Sequence, residues 1–183
     1  MPGIESAERE DHHERQAGVG PNMGGSGGSP RLIILCGLPG SGKTTLAKVF
    51  EHKFRAVRFA PDEWMSALSL DLYDEQRRGR VEDLQWKLAQ QLLTLGLMVV
   101  IEWGTWERSE RDRLREGARA LGAAVELHFL DASPDVLFER VRMRGVESPP
   151  IRREDLSRWA ELFQTPTGEE MALFDKPLIA DLN

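Results

Sequence analysis

Two apolar runs without alternation stand out along the chain, Leu32-Ile33-Ile34-Leu35-Cys36 and Leu97-Met98-Val99-Val100-Ile101. A run with no polar partner every second residue reads as a strand covered on both faces, the kind found in parallel sheets. Two further strands are expected at Ala56–Ala60 and at Val125–Leu130. Between them the pattern changes to helical spacing. Leu46 to Phe54 continue a helix, and Val81, Leu84, Leu88, Leu92 and Leu95 fall on one stripe of a long helix over residues 81–95. A capping box at Ser109–Asp112 opens another helix, and Ser133-Pro134-Asp135 opens the next with a cap, a first-turn proline and an acid. Leu156, Trp159 and Phe163 share a face of a shorter helix. Thr167–Glu170 form a second capping box for a brief helix ending near Phe174, and Pro177–Ala180 reads as a last edge strand. Strands alternating with helices predict an α/β fold, a doubly wound and mainly parallel sheet, with no internal repeat.

Residues 1–30 lie outside that pattern. They are rich in glycine, proline and charge and have no periodic apolar positions, which predicts a disordered tail ahead of a single domain at 31–183. His12-His13 in this stretch read as solvated side chains. The net charge is −6, of which −3 belongs to residues 1–30, so the remainder is only mildly acidic. A long nucleic-acid footprint wants a basic stripe, and nucleic acid is therefore a disfavoured partner, though a short single-stranded end stays open. Cys36 is the one cysteine and sits within an apolar run, which points to a small core residue and away from disulfides. No apolar stretch reaches membrane-spanning length, and a cytoplasmic protein is expected.

The first strand runs directly into Gly37-Leu38-Pro39-Gly40-Ser41-Gly42-Lys43-Thr44-Thr45, which contains G-x-x-x-x-G-K-T. In such a loop backbone N–H groups curl round a phosphate, the lysine reaches the terminal phosphate oxygens, and the hydroxyl after it ligates Mg²⁺. The helix that follows adds its N-terminal dipole. The strand before and helix after are the context this motif requires, so ATP and Mg²⁺ are the expected cofactors.

Phosphoryl transfer asks for positioning and charge neutralisation, hence for a base, a metal-holding acid and mobile cations. Asp62, nineteen residues after Lys43 and just past the second strand, is placed to take the proton of an acceptor hydroxyl; its bland alternative is a helix N-cap. Glu102, at the end of the third apolar run, is the candidate metal acid alongside Thr44. Arg140 and Arg144 are spaced to share a helix face that excludes Arg142, and with Gly145 and Pro149-Pro150 beyond they suggest a lid over about 140–165 whose cations reach the phosphates. Trp64, Trp103 and Trp106 follow strand ends, either as an aromatic wall of an acceptor site or as packing under loops.

The order GLPGSGKTT, PDEW, VVIEWGTWERSERDRLR, HFLDASPDVLFERVRMR and DLSRWAELFQTP resembles the small AAA-domain P-loop kinases of bacteria, a group similar to phage polynucleotide kinase, chloramphenicol phosphotransferase and zeta toxins. The resemblance implies a P-loop, nucleoside-kinase-like fold, with Asp62 as general base and Arg144, then Arg140, as lid arginines. The phage enzyme has an arginine three residues after its base where this chain has Met65, which speaks against a polynucleotide acceptor. The group's third-strand acid is usually aspartate, and here it is Glu102. The expected activity is ATP-dependent transfer to a hydroxyl of a small molecule. The alternatives are a kinase of 5′-hydroxyl ends or nucleotide sugars, and a non-catalytic ATP-binding switch.

Overall fold

A computed structural model describes residues 29–145 and 149–179. The expected tail lies outside the described residues, apart from Ser29 and Pro30. Four strands, β1 (Arg31–Cys36), β2 (Val57–Phe59), β3 (Met98–Gly104) and β4 (Ala124–Phe129), form one parallel sheet in the order β2-β3-β1-β4. Seven helices are described: α1 (Lys43–Phe54), α2 (Pro61–Ala67), α3 (Glu75–Thr94), α4 (Arg108–Ala120), α5 (Pro134–Arg144), α6 (Arg153–Leu162) and α7 (Gly168–Met171).

Because strand side chains alternate, the unbroken run in β1 feeds two cores at once. Leu32, Ile34 and Cys36 face Trp86, Ala89 and Leu93 of α3 and Leu114 and Ala118 of α4. Ile33 and Leu35 face Leu46, Ala47 and Phe50 of α1. The doubly wound α/β arrangement is thus present. A smaller cluster of Leu38, Leu137 and Leu156, with Trp106 and Trp159 against it, fastens α5 and α6 to the loop after β1.

Several expectations need correction. The long helix starts at Glu75, six residues ahead of Val81, where the Asp74 side chain accepts from the Arg77 N–H as N-cap. Its buried face is Val81, Gln85, Trp86, Ala89 and Leu93, while Leu84, Leu88 and Leu95 are 54, 41 and 73 % exposed. The rotation follows from α4: a Cβ on Gly117 would stand 2.7 Å from the Trp86 ring, so the bare glycine admits the indole, and the helix turns to present it. The capping box of α4 is Glu107 with Glu110, not Ser109 with Asp112; Ser109 Oγ donates to the Glu107 carboxylate. At α7, Thr167 caps as expected, but Glu170 turns its carboxylate elsewhere and the helix ends at Met171.

No strand forms at 177–179, and Ala180 lies outside the described residues. Pro177 has no N–H to give a ladder, and carboxylates supply the pairing instead. Asp175 Oδ2 accepts from Val125 N at 2.6 Å, and Glu126 Oε1 accepts from Leu178 N at 3.1 Å.

Candidate active site

Lys43, Thr44, Asp62 and Glu102 sit at or just past the carboxyl ends of β1, β2 and β3, the edge where open α/β sheets bind ligands. β1 ends in the glycine-rich loop. Gly37 has φ +148°, and a Cβ there would lie 2.6 Å from the Leu130 carbonyl and 2.8 Å from Ser41 Oγ, so only glycine lets the loop curl this tightly. Its N–H donates to Gly104 O at 3.1 Å, tying the loop to the end of β3. Ser41 Oγ is buried and has no hydrogen-bond partner among the described residues. Such an orphaned hydroxyl in a cradle of small residues fits a phosphate better than a closed turn. Leu38 anchors the loop below, while Pro39, Gly40 and Thr45 stay at least partly open to solvent.

Gly42 caps α1 in the left-handed region, so Lys43 and Thr44 occupy the first turn. Lys43 Nζ donates to the carbonyls of Gly37 at 2.8 Å and Leu38 at 2.9 Å. Burial pushes its amine down to about 8, against the pull of the Glu102 and Asp62 carboxylates; Arg144 pushes in the same direction as burial. The charges that act on Lys43 thus come from residues scattered over a hundred positions of sequence.

Thr44 Oγ1 donates to Glu102 Oε1. A hydroxyl and a carboxylate in direct contact at the loop's edge are hard oxygen donors of the kind Mg²⁺ takes, and they fit that ion. Glu102's other oxygen accepts from Arg58 Nη1 at 2.8 Å, while the Arg58 Nη2 donates to both oxygens of Glu63 and its Nε to Glu51. Burial works against the Arg58 charge, but the hydrogen bonds to Glu63 and Glu102 outweigh it and hold the guanidinium above its ordinary range. Arg58 fixes the carboxylate of Glu102 and is not among the candidates that motif and spacing single out. The signal was there: it is the one charged residue in AVRFA.

Asp62 is not an N-cap. Ala60 caps α2, Pro61 takes the first position and Asp62 stands in the first turn with its carboxylate 66 % exposed. It pairs with Arg78 Nη2, a residue that no spacing rule connects to it. Met65 is fully buried, so the guanidinium beside Asp62 comes from α3 and not from α2. Behind Arg78 lies Glu82, 3.7 Å from its Nη1, whose carboxyl is pushed up to about 7 by burial despite that cation.

Arg140 Nη1 donates to Gly40 O at 3.4 Å, and Arg144 acts on Lys43, whereas Arg142 pairs with Glu139. Arg140 is thus turned to the loop and Arg142 away from it. The three tryptophans do not form one wall. Trp64 packs edge-on to Phe59, Trp103 donates to Gln85 Oε1 at 2.8 Å within the same core, and Trp106 lies tilted against Trp159, ring centres 5.9 Å apart, in the α5–α6 cluster.

Arg111, one of a run of arginines, is fully buried. It donates to both oxygens of Glu170, to Thr105 O at 2.9 Å and to Gln164 O at 2.8 Å. Thr105 is held at φ +43°, a rare conformation for a β-branched residue, directly after Gly104. Arg111 fixes that strained corner beside the loop.

A family model described as the AAA domain matches residues 32–166, well over half of the chain. The chain belongs to the AAA domain family. A gluconokinase from Sinorhizobium meliloti 1021 is 24% identical with a TM-score of 0.55, over 77% of this chain and 79% of that one. A sugar kinase from Janibacter sp. HTCC2649 is 22% identical with a TM-score of 0.56, over 76% and 81%. A chain of the Pnkp1/Rnl/Hen1 RNA repair complex is 21% identical with a TM-score of 0.63, covering 83% of this chain and 49% of its own length. No curated protein gives a significant match. The AAA domain protein therefore has the fold of the P-loop kinase group. Among its described residues no helix is long and apolar enough to cross a membrane.

Proposed function

We propose that this AAA domain protein is an ATP- and Mg²⁺-dependent phosphotransferase acting on a hydroxyl of a small molecule. The observation that carries the reading is an exposed Asp62 in the first turn after β2, at the same sheet edge as the phosphate loop and the Thr44–Glu102 contact. A mere nucleotide switch has no use for an accessible carboxylate opposite the phosphate loop, whereas transfer to an alcohol needs a base there.

Lys43 and the loop from Gly37 to Thr45 bind and orient the phosphates of ATP, with Ser41 Oγ free to donate to them. Thr44 and Glu102 would hold the magnesium ion, which when bound offsets negative charge on the transferring group. Asp62 orients the acceptor hydroxyl and takes its proton as the acceptor oxygen bonds to the γ-phosphorus and the bond to the β–γ bridging oxygen breaks. Arg140 and Arg144, on a lid formed by α5 and α6, balance the charge that moves onto the leaving oxygens. Little covalent help is needed, so positioning accounts for most of the rate. The sugar and gluconate kinases of similar fold support a small acceptor, as does Met65 in place of an arginine on α2.

The test is Asp62→Asn in single-turnover transfer from labelled ATP to a panel of alcohols, sugars, nucleosides and 5′-hydroxyl oligonucleotides. Transfer is expected to fall by roughly 10²- to 10⁴-fold with ATP affinity nearly constant. Full transfer in the variant removes Asp62 as base. A collapse of Mg²⁺-dependent ATP affinity instead assigns it to the metal.

A further inference from the structure

Asp62 is the outer member of a chain of alternating charge that runs inward along α3. Arg78 Nη2 donates to Asp62 Oδ1 and reaches the Leu72 carbonyl at 3.5 Å, while Arg78 Nη1 lies 3.7 Å from Glu82 Oε1. Local structure sets this up. Asp74 caps α3 through the Arg77 N–H and so fixes where its first turns fall, and Arg78 and Glu82, four residues apart, then share one face. Asp62 comes from α2, which packs against α3. Exposure falls along the chain, from 66 % at Asp62 to 28 % at Arg78 and 19 % at Glu82.

A guanidinium is a planar fork whose two terminal nitrogens cannot turn independently. A carboxylate that engages Nη1 therefore sets the direction in which Nη2 points. Asp62, mostly exposed, has a rotamer freedom that a base must lose to meet a hydroxyl in line. Its contact with Arg78 takes one carboxylate oxygen and leaves the other to receive the acceptor's proton. We infer that Arg78 is a positioning residue for Asp62, and that Glu82 is the anchor that keeps the guanidinium aimed at it. This rests on the reading of Asp62 as base.

The anchor responds to pH. Burial pushes the Glu82 carboxyl up to about 7, with Glu110 of α4 pushing the same way and Arg78 and Arg113 of α4 pulling against it. Both α4 groups have further partners: Glu110 accepts from Glu107 N, and Arg113 lies 3.9 Å from Asp83. On the loop side, Lys43 is the cation on which the Asp62 charge acts. Above pH 7 an ionised Glu82 holds Nη1, and below it a neutral carboxyl loosens the fork.

The first measurement needs no turnover. Carboxyl-carbon NMR of labelled full-length protein follows Asp62 and Glu82 through the neutral range. Glu82 is expected to titrate near 7, and the Asp62 carbon to show an inflection at the same pH, transmitted by the shared guanidinium. Arg78→Met, which keeps the stem and removes the fork, and Glu82→Gln, which is isosteric and cannot ionise, should each abolish that inflection. The second measurement is hydrolysis of labelled ATP with water in place of the alcohol. Above pH 7 its rate should fall about tenfold or more in Arg78→Met, with ATP affinity by calorimetry nearly constant. Wild type and Glu82→Gln should hydrolyse alike below pH 7 and diverge above it, wild type becoming about three- to fivefold faster. The Lys43 amine, pushed down to about 8, is common to both proteins, so the ratio of their rates isolates Glu82. Melting temperatures control for folding, and Glu82→Gln carries the test if Arg78→Met unfolds.

An Asp62 signal without an inflection at the Glu82 midpoint, or one that survives Arg78→Met, overturns the inference whatever the rates. Hydrolysis that Asp62→Asn slows but Arg78→Met leaves equal or faster also overturns it, a faster rate marking Arg78 as a plug on the base. If the inflection depends on Arg78 while hydrolysis is indifferent to both Arg78→Met and Asp62→Asn, the anchored pair stands and the reading of Asp62 as base is what fails.

Discussion

At Lys43, burial strips water from an ammonium whose hydrogen bonds go to two loop carbonyls. Its folded-state value near 8 lies below the ordinary 10.5, so between those values the unfolded chain binds more protons than the folded one. Stability conferred by this site accordingly rises with pH across 8 to 10.5, and the full cost of the buried charge is present below 8. Lys43→Met removes that cost. In urea titrations the nucleotide-free variant should be the more stable protein near pH 7, with its advantage shrinking toward pH 10.5; a pH-independent difference would contradict the assignment. Lys43→Ala should abolish tight ATP binding by calorimetry while leaving the fold intact, because the side chain faces the loop and not the core. The identity of Lys43, Thr44 and Gly37 was legible because motif chemistry is local. Arg58 and Arg78 were not, since the carboxylates they hold lie 44 and 16 residues away.

Between elements, glycines mark where the sheet's helices approach. Gly117 of α4 has the Trp86 ring 2.7 Å from its missing Cβ, and Gly79 of α3 has nothing within 4 Å. Opposite signs follow. Gly117→Val should wedge α4 from α3 and cost about 1–3 kcal/mol, whereas Gly79→Ala should stabilise by about 0.4–1 kcal/mol through lost unfolded-state entropy. Equilibrium unfolding of the two variants side by side checks both. The same contact explains why periodicity gave the existence of α3 and the core positions Val81 and Leu92, but misplaced Leu84, Leu88 and Leu95. Leucines at 84, 88 and 95 offer a plausible stripe one position round from the true one, and only the indole's need for a partner surface selects between them.

Across the whole molecule, the Arg111–Glu170 pair joins α4, the corner after β3, the segment after α6 and α7. Both side chains are essentially excluded from water, so removing one partner strands a charge. Arg111→Ala should cost about 3–5 kcal/mol, while Arg111→Met with Glu170→Leu should recover most of it, because a buried pair contributes little over well-packed apolar groups. Additive losses in the double variant, measured by chemical denaturation, would show that the charges themselves are needed. With the Thr105 corner released, ATP affinity in Arg111→Ala should also fall, as the corner carries the carbonyl that holds Gly37.

By itself the sequence determined the parallel sheet, the phosphate loop and the order of elements, because each is set by short-range periodicity, turn chemistry and a contiguous motif. It also placed Asp62 and Glu102 at strand ends and Arg140 with Arg144 on one face, since strand termini and helical spacing are local properties. Only the tertiary structure decided which of many arginines are buried and which carboxylate each one holds. It alone turned α3 onto Trp86 and replaced an edge strand by carboxylate contacts. Those outcomes depend on which surfaces meet once the chain has folded, and packing and desolvation between segments far apart in sequence leave no periodic trace along it.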